Sequence, residues 1–288
     1  MEIYDRNVVE IMGLPQKVNS LQEIDDLHRK FVQYRWDFYC QSGIETMAHY
    51  RSEQYFGWDI TPGVFRKRGI GAREGKELEK RAALMFERIV TENFGPDALR
   101  DLFYRQRYGK DWDILFQAQH AGVKTTLVDW TARIDKSVYF AVEESMDGAL
   151  NAADGQLWVY MIPTGELLSH NTLPIKDTFY DQDPADLRSG AMINVSICLD
   201  NLGKRLFETR MFKQGGRFYI SASNECNIPL NRQQGIARYL FRFRIPAARK
   251  KVIREELAAD GLTRETVYVQ ENPEHQALID AINTEVYG

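Results

Sequence analysis

Apolar residues recur three and four positions apart through the first half of the chain, whereas in the second half they alternate or run together, so helices are predicted to precede strands. Ser20 and Glu23 form a capping box ahead of Leu21, Ile24, Leu27, Phe31, Val32 and Phe38, which share one helical face, and this helix is predicted to stop near Gly43. A second helix is predicted from about Glu74, turning Leu78, Ala82, Met85, Phe86, Ile89 and Val90 inward and ending before Gly95-Pro96. Shorter helices are expected near 99–108 and 112–120. Residues 156–162 then read as a buried strand, and 192–198 and 217–222 read similarly. In 239–245 the alternation is clearest: Tyr239, Phe241, Phe243 and Ile245 share one face, while Arg242 and Arg244 lie opposite, toward solvent or a site. A helix over 247–259 closing at Gly261, a short strand over 266–270 and a final helix over 273–283 complete the pattern.

The predicted fold class is therefore α+β, a helix-rich N-terminal half followed by a mostly antiparallel or mixed sheet. Residues 1–45 are expected to form a helical segment packed on a main α+β domain of 46–246, with 247–288 a helix-strand-helix extension of the same domain. The proline- and aspartate-bearing stretch 169–190 is predicted to be a long loop and a candidate cover for a site.

A chain of 288 residues that is 44% hydrophobic holds enough apolar material to fold. Its 37 lysines and arginines against 41 acids leave a net charge of −4, which gives no broad attraction to nucleic acid or anionic membrane and leaves only a local basic site open. No apolar run approaches the roughly 20 residues of a membrane span, and the first residues lack the basic and apolar regions of a signal peptide. A soluble, cytoplasmic protein without a membrane partner is expected. Cys40, Cys198 and Cys226 are far apart and read as reduced thiols, and the scattered histidines offer no helical zinc spacing, so no metal is expected.

Specific motifs follow one another in the middle of the chain. Tyr50-Arg51-Ser52-Glu53 precedes Thr61-Pro62-Gly63-Val64-Phe65-Arg66; then come Gln119-His120-Ala121-Gly122, Leu127-Val128-Asp129-Trp130-Thr131 and Tyr139-Phe140-Ala141. Asp154-Gly155-Gln156-Leu157-Trp158-Val159 and Arg210-Met211-Phe212-Lys213-Gln214-Gly215-Gly216-Arg217-Phe218 complete the series. This order, from about residue 50 to 218, resembles the FRG-domain family, named for a Phe-Arg-Gly signature. The chain departs from the signature at Ser52, where the family has Gly, and at Glu53, where it usually has Gln; Ser is less free than Gly to take positive φ. The family is one of bacterial and phage proteins, and the resemblance implies a defence or toxin role without implying a particular reaction.

Each motif residue has a functional and a structural reading. Arg51 offers a planar fork of donors for a carboxylate or diphosphate, or else an internal ion pair with Asp129 or another acid. His120 is an acid, base or ligand donor near neutral pH, or pins the turn at Gly122. Asp129 and Thr131 cap a strand-to-helix transition while Trp130 fills the core, or that helix start presents N–H groups to an anion beside Arg51. Tyr139 stacks on a flat ring or belongs to the core. Gln214 reads a sugar hydroxyl or nicotinamide, with Gly216 supplying close backbone, or the pair of glycines makes a turn. Glu208 and Glu53 are the acids placed to stabilise an oxocarbenium-like centre.

An arginine after an aromatic, a later Tyr-Phe-Ala helix and a polar residue on a late strand resemble the order found in ADP-ribosyltransferases. That likeness implies an ADP-ribosyltransferase-like fold that binds NAD without a metal, with Arg51 and Arg66 on phosphates, Tyr139 on nicotinamide and Glu208 or Gln214 at the ribose. A nucleotide ligand and a macromolecular acceptor follow from it. The competing expectation is a non-catalytic module in which the Arg242 and Arg244 strand binds nucleic acid or a protein.

Overall fold

The computed structural model describes residues 13–66, 69–95, 110–164, 167–168, 191–193, 214–221, 225–268 and 273–288. Helices α1 (Leu21–Ser42), α2 (Ala72–Phe94) and α3 (Lys110–Ala121) dominate the first half, with strands β1 (Thr46–Glu53) and β2 (Leu127–Thr131) between and after them. Helices α4 (Ile134–Val142) and α5 (Gly148–Ala152) lead into β3 (Gly155–Pro163), followed by β4 (Leu167–Leu168), β5 (Ala191–Ile193) and β6 (Gly216–Ile220). Then come α6 (Gln234–Ala237), β7 (Leu240–Ile245), α7 (Ala247–Ala259), α8 (Arg264–Val267) and α9 (Pro273–Tyr287). The class is α+β, as the hydrophobic pattern predicts.

The chain divides into two compact units. The first comprises Met1–Asp59, Trp130–Leu167 and Leu230–Val267. Its sheet has β1 at the centre, antiparallel to β3 from Thr46↔Pro163 through Glu53↔Gln156, and β3 continues antiparallel to β7 from Gly155↔Ile245 to Tyr160↔Leu240. β2 joins β1 through Tyr50↔Thr131, and Lys17 adds a parallel bridge to Arg244 on β7.

Alternation along these strands gives the sheet two faces. One carries Tyr50, Ser52, Leu157, Val159, Phe241 and Phe243, all buried. Helices cover it: the Phe31 ring on α1 meets Phe241 and Phe243 edge-on, at 5.1 and 5.9 Å between centroids, and Ser137 on α4 shares a 2.9 Å hydrogen bond with Ser52. α7 in turn packs on α4, where Arg254 donates to the Val142 carbonyl at 2.9 Å. The other face carries His49, Arg51 and Glu53 from β1, Gln156, Trp158 and Tyr160 from β3, and Arg242 and Arg244 from β7.

The second unit comprises Ile60–Asp129, Leu168–Pro229 and Tyr268–Gly288. α2 packs on α3 and α9 around Phe65, Phe86, Ile114, Ile282 and Tyr287, and β5 runs antiparallel to β6 from Ala191↔Ile220 to Ile193↔Phe218. Gly75 on α2 lies against the Phe65 ring so closely that a Cβ there would overlap it, which makes glycine a packing requirement at that position.

Local chemistry explains the helix ends. Ser20 Oγ accepts the Glu23 amide at 3.2 Å, as a capping box requires, but the Glu23 carboxylate reaches one residue further back, to the Asn19 amide at 2.8 Å. Gly43 ends α1 at φ 69°, a left-handed conformation that suits glycine. One expectation is corrected: Thr266 and Val267 end the short helix α8 instead of starting a strand, because Thr263 accepts the Val267 amide and the Thr266 hydroxyl folds back on Gly261 and Thr263. The final helix also runs beyond 283, to Tyr287. The helix expected over 99–108 and the loop over 169–190 lie outside the described residues. No helix among the described residues is long and apolar enough to cross a membrane.

Candidate functional site

β1 delivers Arg51 and Glu53 to the same face because they are two residues apart, and β3 sets Trp158 and Gln156 directly opposite them. Arg51 Nη2 donates to Glu53 Oε1 at 2.9 Å, with the two side chains only 11% and 8% exposed. Gln156 Nε2 donates to Glu53 Oε2 at 2.5 Å and to the Trp58 carbonyl at 2.9 Å. From β7, Arg242 Nε and Nη2 both donate to Gln156 Oε1, at 2.9 and 2.7 Å. A guanidinium, a carboxylate, an amide and a second guanidinium thus run in a hydrogen-bonded line across three strands.

Aromatic groups border this line. The Arg242 guanidinium carbon lies 3.8 Å from the Phe56 ring centroid and 5.1 Å from that of Trp158. Partial burial lowers the Arg242 pKa from its ordinary value, against the opposing pull of Asp59 and Glu53. Trp130 on β2 lies one residue from Thr131, the register partner of Tyr50, and therefore faces the Arg51 side, where its ring approaches Tyr160 at 5.5 Å. Both Trp130 and Trp158 are buried, and neither indole Nε1–H has a hydrogen-bond partner among the described residues. Buried donors are almost always satisfied in a folded protein, which sets these two apart on the polar face.

The remaining sequence-predicted residues of this unit serve other ends. Thr131 Oγ1 accepts the Arg133 amide at 3.0 Å, a local turn ahead of α4, whose N-cap residue Arg133 has no side-chain cap bond, so the capping expected of Asp129 and Thr131 does not occur at the helix start. Tyr139 is buried on α4, in the helical layer over the opposite face of the sheet, so the sheet stands between it and Arg51. Burial, assisted by Glu143, raises its pKa. The ring-stacking role expected of Tyr139 beside Arg51 does not match this placement; α4 turns that residue into the packing under the sheet.

In the second unit, Gln119 is the organising side chain. Its Nε2 donates to Asp129 Oδ2 at 2.7 Å and its Oε1 accepts the Thr125 hydroxyl at 2.5 Å, which ties the end of α3 to β2. His120 is buried with its ring edge-on to Phe218 at 5.0 Å, and Phe116 stacks on Phe218 at the same separation. Gly122 carries φ 103° and passes its carbonyl to Asn283 on α9 at 3.0 Å, so this turn needs glycine. Arg66 is exposed and donates to the Thr61 carbonyl at 3.1 Å. Gln214 is half-buried just ahead of β6, Gly215 takes φ 61°, and Gly216 opens the strand, the turn that a Gly-Gly pair predicts. Glu208 lies outside the described residues, as does Cys198. Cys40 is an exposed thiol and Cys226 a buried one whose pKa burial pushes up to about 11. Among the described residues no cluster of three or more His, Cys, Asp or Glu side chains is arranged to hold a metal ion.

Residues 46–149 match the family model of the FRG domain. The chain carries an FRG domain. The match takes in Arg51, Glu53, His120, the Asp129-Trp130-Thr131 motif and Tyr139, whereas Gln156, Gln214 and Arg242 lie beyond it. No curated protein and no solved structure matches the chain.

Sequence reasoning left three members of the polar face unassigned: Gln156, Trp158 and Phe56. For the first two a signal was present, because alternation through 156–162 places Gln156, Trp158 and Tyr160 together. Nothing local ties Phe56 to Arg242, since that contact depends on how the chain after β1 folds back over β7.

Proposed function

We propose that the FRG domain binds NAD on the polar face of the β1–β3–β7 sheet and breaks its nicotinamide–ribose bond without a metal. The ADP-ribosyl group passes to water or to a macromolecular acceptor. The observation that carries this reading is the pair of buried, unpartnered indole N–H donors of Trp130 and Trp158 on the same face as the Arg51–Glu53 pair. A nucleotide offers acceptor oxygens for the two indoles, and its diphosphate suits a guanidinium on the same face. The resemblance in residue order to ADP-ribosyltransferases supports Arg51 at the phosphates, though not Tyr139 at the nicotinamide.

In the reaction, the bond between ribose C1′ and the pyridinium nitrogen breaks and nicotinamide leaves as a neutral ring with the bonding electron pair. A nucleophile of water or of the acceptor then bonds to C1′ and gives up its proton to solvent. Glu53, fixed by Arg51 and Gln156, is the acid whose negative charge stabilises the electron-poor C1′. Arg51 orients the diphosphate, so the chain contributes electrostatics and positioning.

Titration calorimetry with NAD and a nicotinamide-release assay test the reading. Trp158→Phe keeps an aromatic ring but deletes the donor and part of the indole, so it is expected to weaken NAD binding by about tenfold and to lower the melting temperature by a few degrees without unfolding the protein. Glu53→Gln is expected to lower nicotinamide release by a factor of roughly a hundred with binding retained. If wild-type protein neither binds NAD nor releases nicotinamide in the presence of candidate acceptors, the proposal is wrong.

A further inference from the structure

At the β7 edge of the same sheet, the chain leaves β1 and folds Phe56 against the strand, with the Arg242 and Arg244 guanidinium carbons over its ring at 3.8 and 4.2 Å from the centroid. The Phe56 amide is held by the Asp154 carbonyl at 2.7 Å, and the root of the loop is fixed by buried Lys250, which donates to the Gln54 and Leu150 carbonyls at 2.6 and 2.7 Å. On this anchored loop Tyr55 and Trp58 remain 43% and 44% exposed, with their rings edge-to-face at 5.8 Å. Exposed Lys17 is the bridge partner of Arg244 and adds a third cation to the edge.

The acids nearby are engaged in holding the fold. Asp154 accepts the Ala247 amide at 2.8 Å and Arg244 at 3.1 Å, and Asp59 accepts Asn231 at 2.8 Å and Arg232 at 2.5 Å. What faces solvent is Lys17 and the outer parts of the Arg242 and Arg244 guanidinium groups, engaged with Gln156 and Asp154 on their inner sides, beside two large aromatic rings, on a protein whose net charge of −4 would otherwise repel polyanions.

We infer that this edge, formed by Lys17, Arg242, Arg244, Tyr55 and Trp58, is a binding surface for single-stranded nucleic acid. The cations lie along one strand edge and meet successive phosphates, while the two rings offer stacking area that every base can use. Exposed aromatic rings favour a single strand over a duplex, whose bases are already stacked. The inference does not rest on NAD binding: Arg242 and Arg244 lie on the polar face proposed for NAD, but Lys17 and Tyr55 lie outside it.

Fluorescence anisotropy with a labelled oligothymidylate of about twelve residues, titrated with full-length protein at rising salt, tests it. Three phosphate contacts predict a slope near −2 for log K against log salt, and Arg244→Ala is expected to make the slope shallower by about 0.7. Trp58→Ala is expected to weaken binding by roughly tenfold with the slope unchanged. Lys17→Ala and Tyr55→Ala, which lie outside the polar face, are expected to weaken oligonucleotide binding and to leave NAD titrations and the melting temperature nearly unchanged, so failure here is distinguishable from failure of the NAD reading. Absence of binding at low salt, equal affinity of wild type and all four variants, a preference for duplex, or equal displacement by polyglutamate would each overturn the inference.

Discussion

Each unit of the molecule buries a glutamate, and the two are accommodated by different means. In the first, Glu53 is met by a guanidinium at one oxygen and an amide at the other, at 2.9 and 2.5 Å. In the second, Glu79 on α2 is fully buried and accepts the Thr126 backbone amide at 2.5 Å. Burial pushes its pKa up to about 7, against the pull of Thr126 and of the Lys76 charge. A carboxylate given directional charged partners is fixed in place and serves as a preset element of a polar face. One given mostly apolar surroundings near neutral pH holds a proton instead and makes the stability of its unit depend on pH.

Breaking the first arrangement gives the largest effect. Arg51→Ala leaves Glu53 buried without its counter-charge and is expected to cost about 3–5 kcal/mol, read as a lower denaturant midpoint; the double variant with Glu53→Ala should recover part of it. A double variant no more stable than Arg51→Ala would show that the pair is not what holds this face.

The second arrangement predicts a pH dependence of somewhat smaller size. The folded-state pKa of Glu79, about 7, stands above its reference value of 4.5, so the protonated acid is favoured by folding. Its contribution is fully present below about pH 4.5 and is lost as the pH rises to about 7, on the order of 3 kcal/mol in all. Urea titrations between pH 5 and pH 7.5, taken as approximate bounds of that window, should show the decline in wild type, and Glu79→Gln should flatten it. An unchanged profile in the glutamine variant would assign the dependence to another group.

Lys250→Met removes the donor to two backbone carbonyls and is expected to cost about 1–3 kcal/mol, measured by chemical denaturation. The smallest effect belongs to Arg244→Ala. Its pair with Asp154 is 49% and 32% exposed at 3.1 Å, so the loss should stay within about 1 kcal/mol. Together with Arg51→Ala, this change compares two ion pairs on one sheet face that differ chiefly in burial. Equal losses would mean that burial is not the deciding variable.

Much of the architecture was legible from periodicity. α1 and its Gly43 stop, α2, α7 and the alternation in β7 follow from spacing and caps that act within a few residues. The strand carrying Arg51 was harder, since Tyr50-Arg51-Ser52-Glu53 alternates an aromatic and a hydroxyl with two charges, a pattern that is apolar on neither face. What makes it a central strand is its position between β2 and β3, where the two charges pair along the strand and Glu53 is bonded across to Gln156. Likewise the FRG motifs named Arg51, Trp130 and Tyr139, but not which of them share a face.

The sequence by itself settled the α+β class, the presence of an FRG domain and the alternation that separates Arg242 and Arg244 from Phe241 and Phe243, because these depend on local spacing or on motifs in order. Only the tertiary structure decided that Arg51 is held by Glu53, that Gln156 links it to Arg242, and that Tyr139 lies on the far side of the sheet. Those facts arise from strand register and from which layer a helix joins, and a shift of one residue in register would turn every such side chain to the other face.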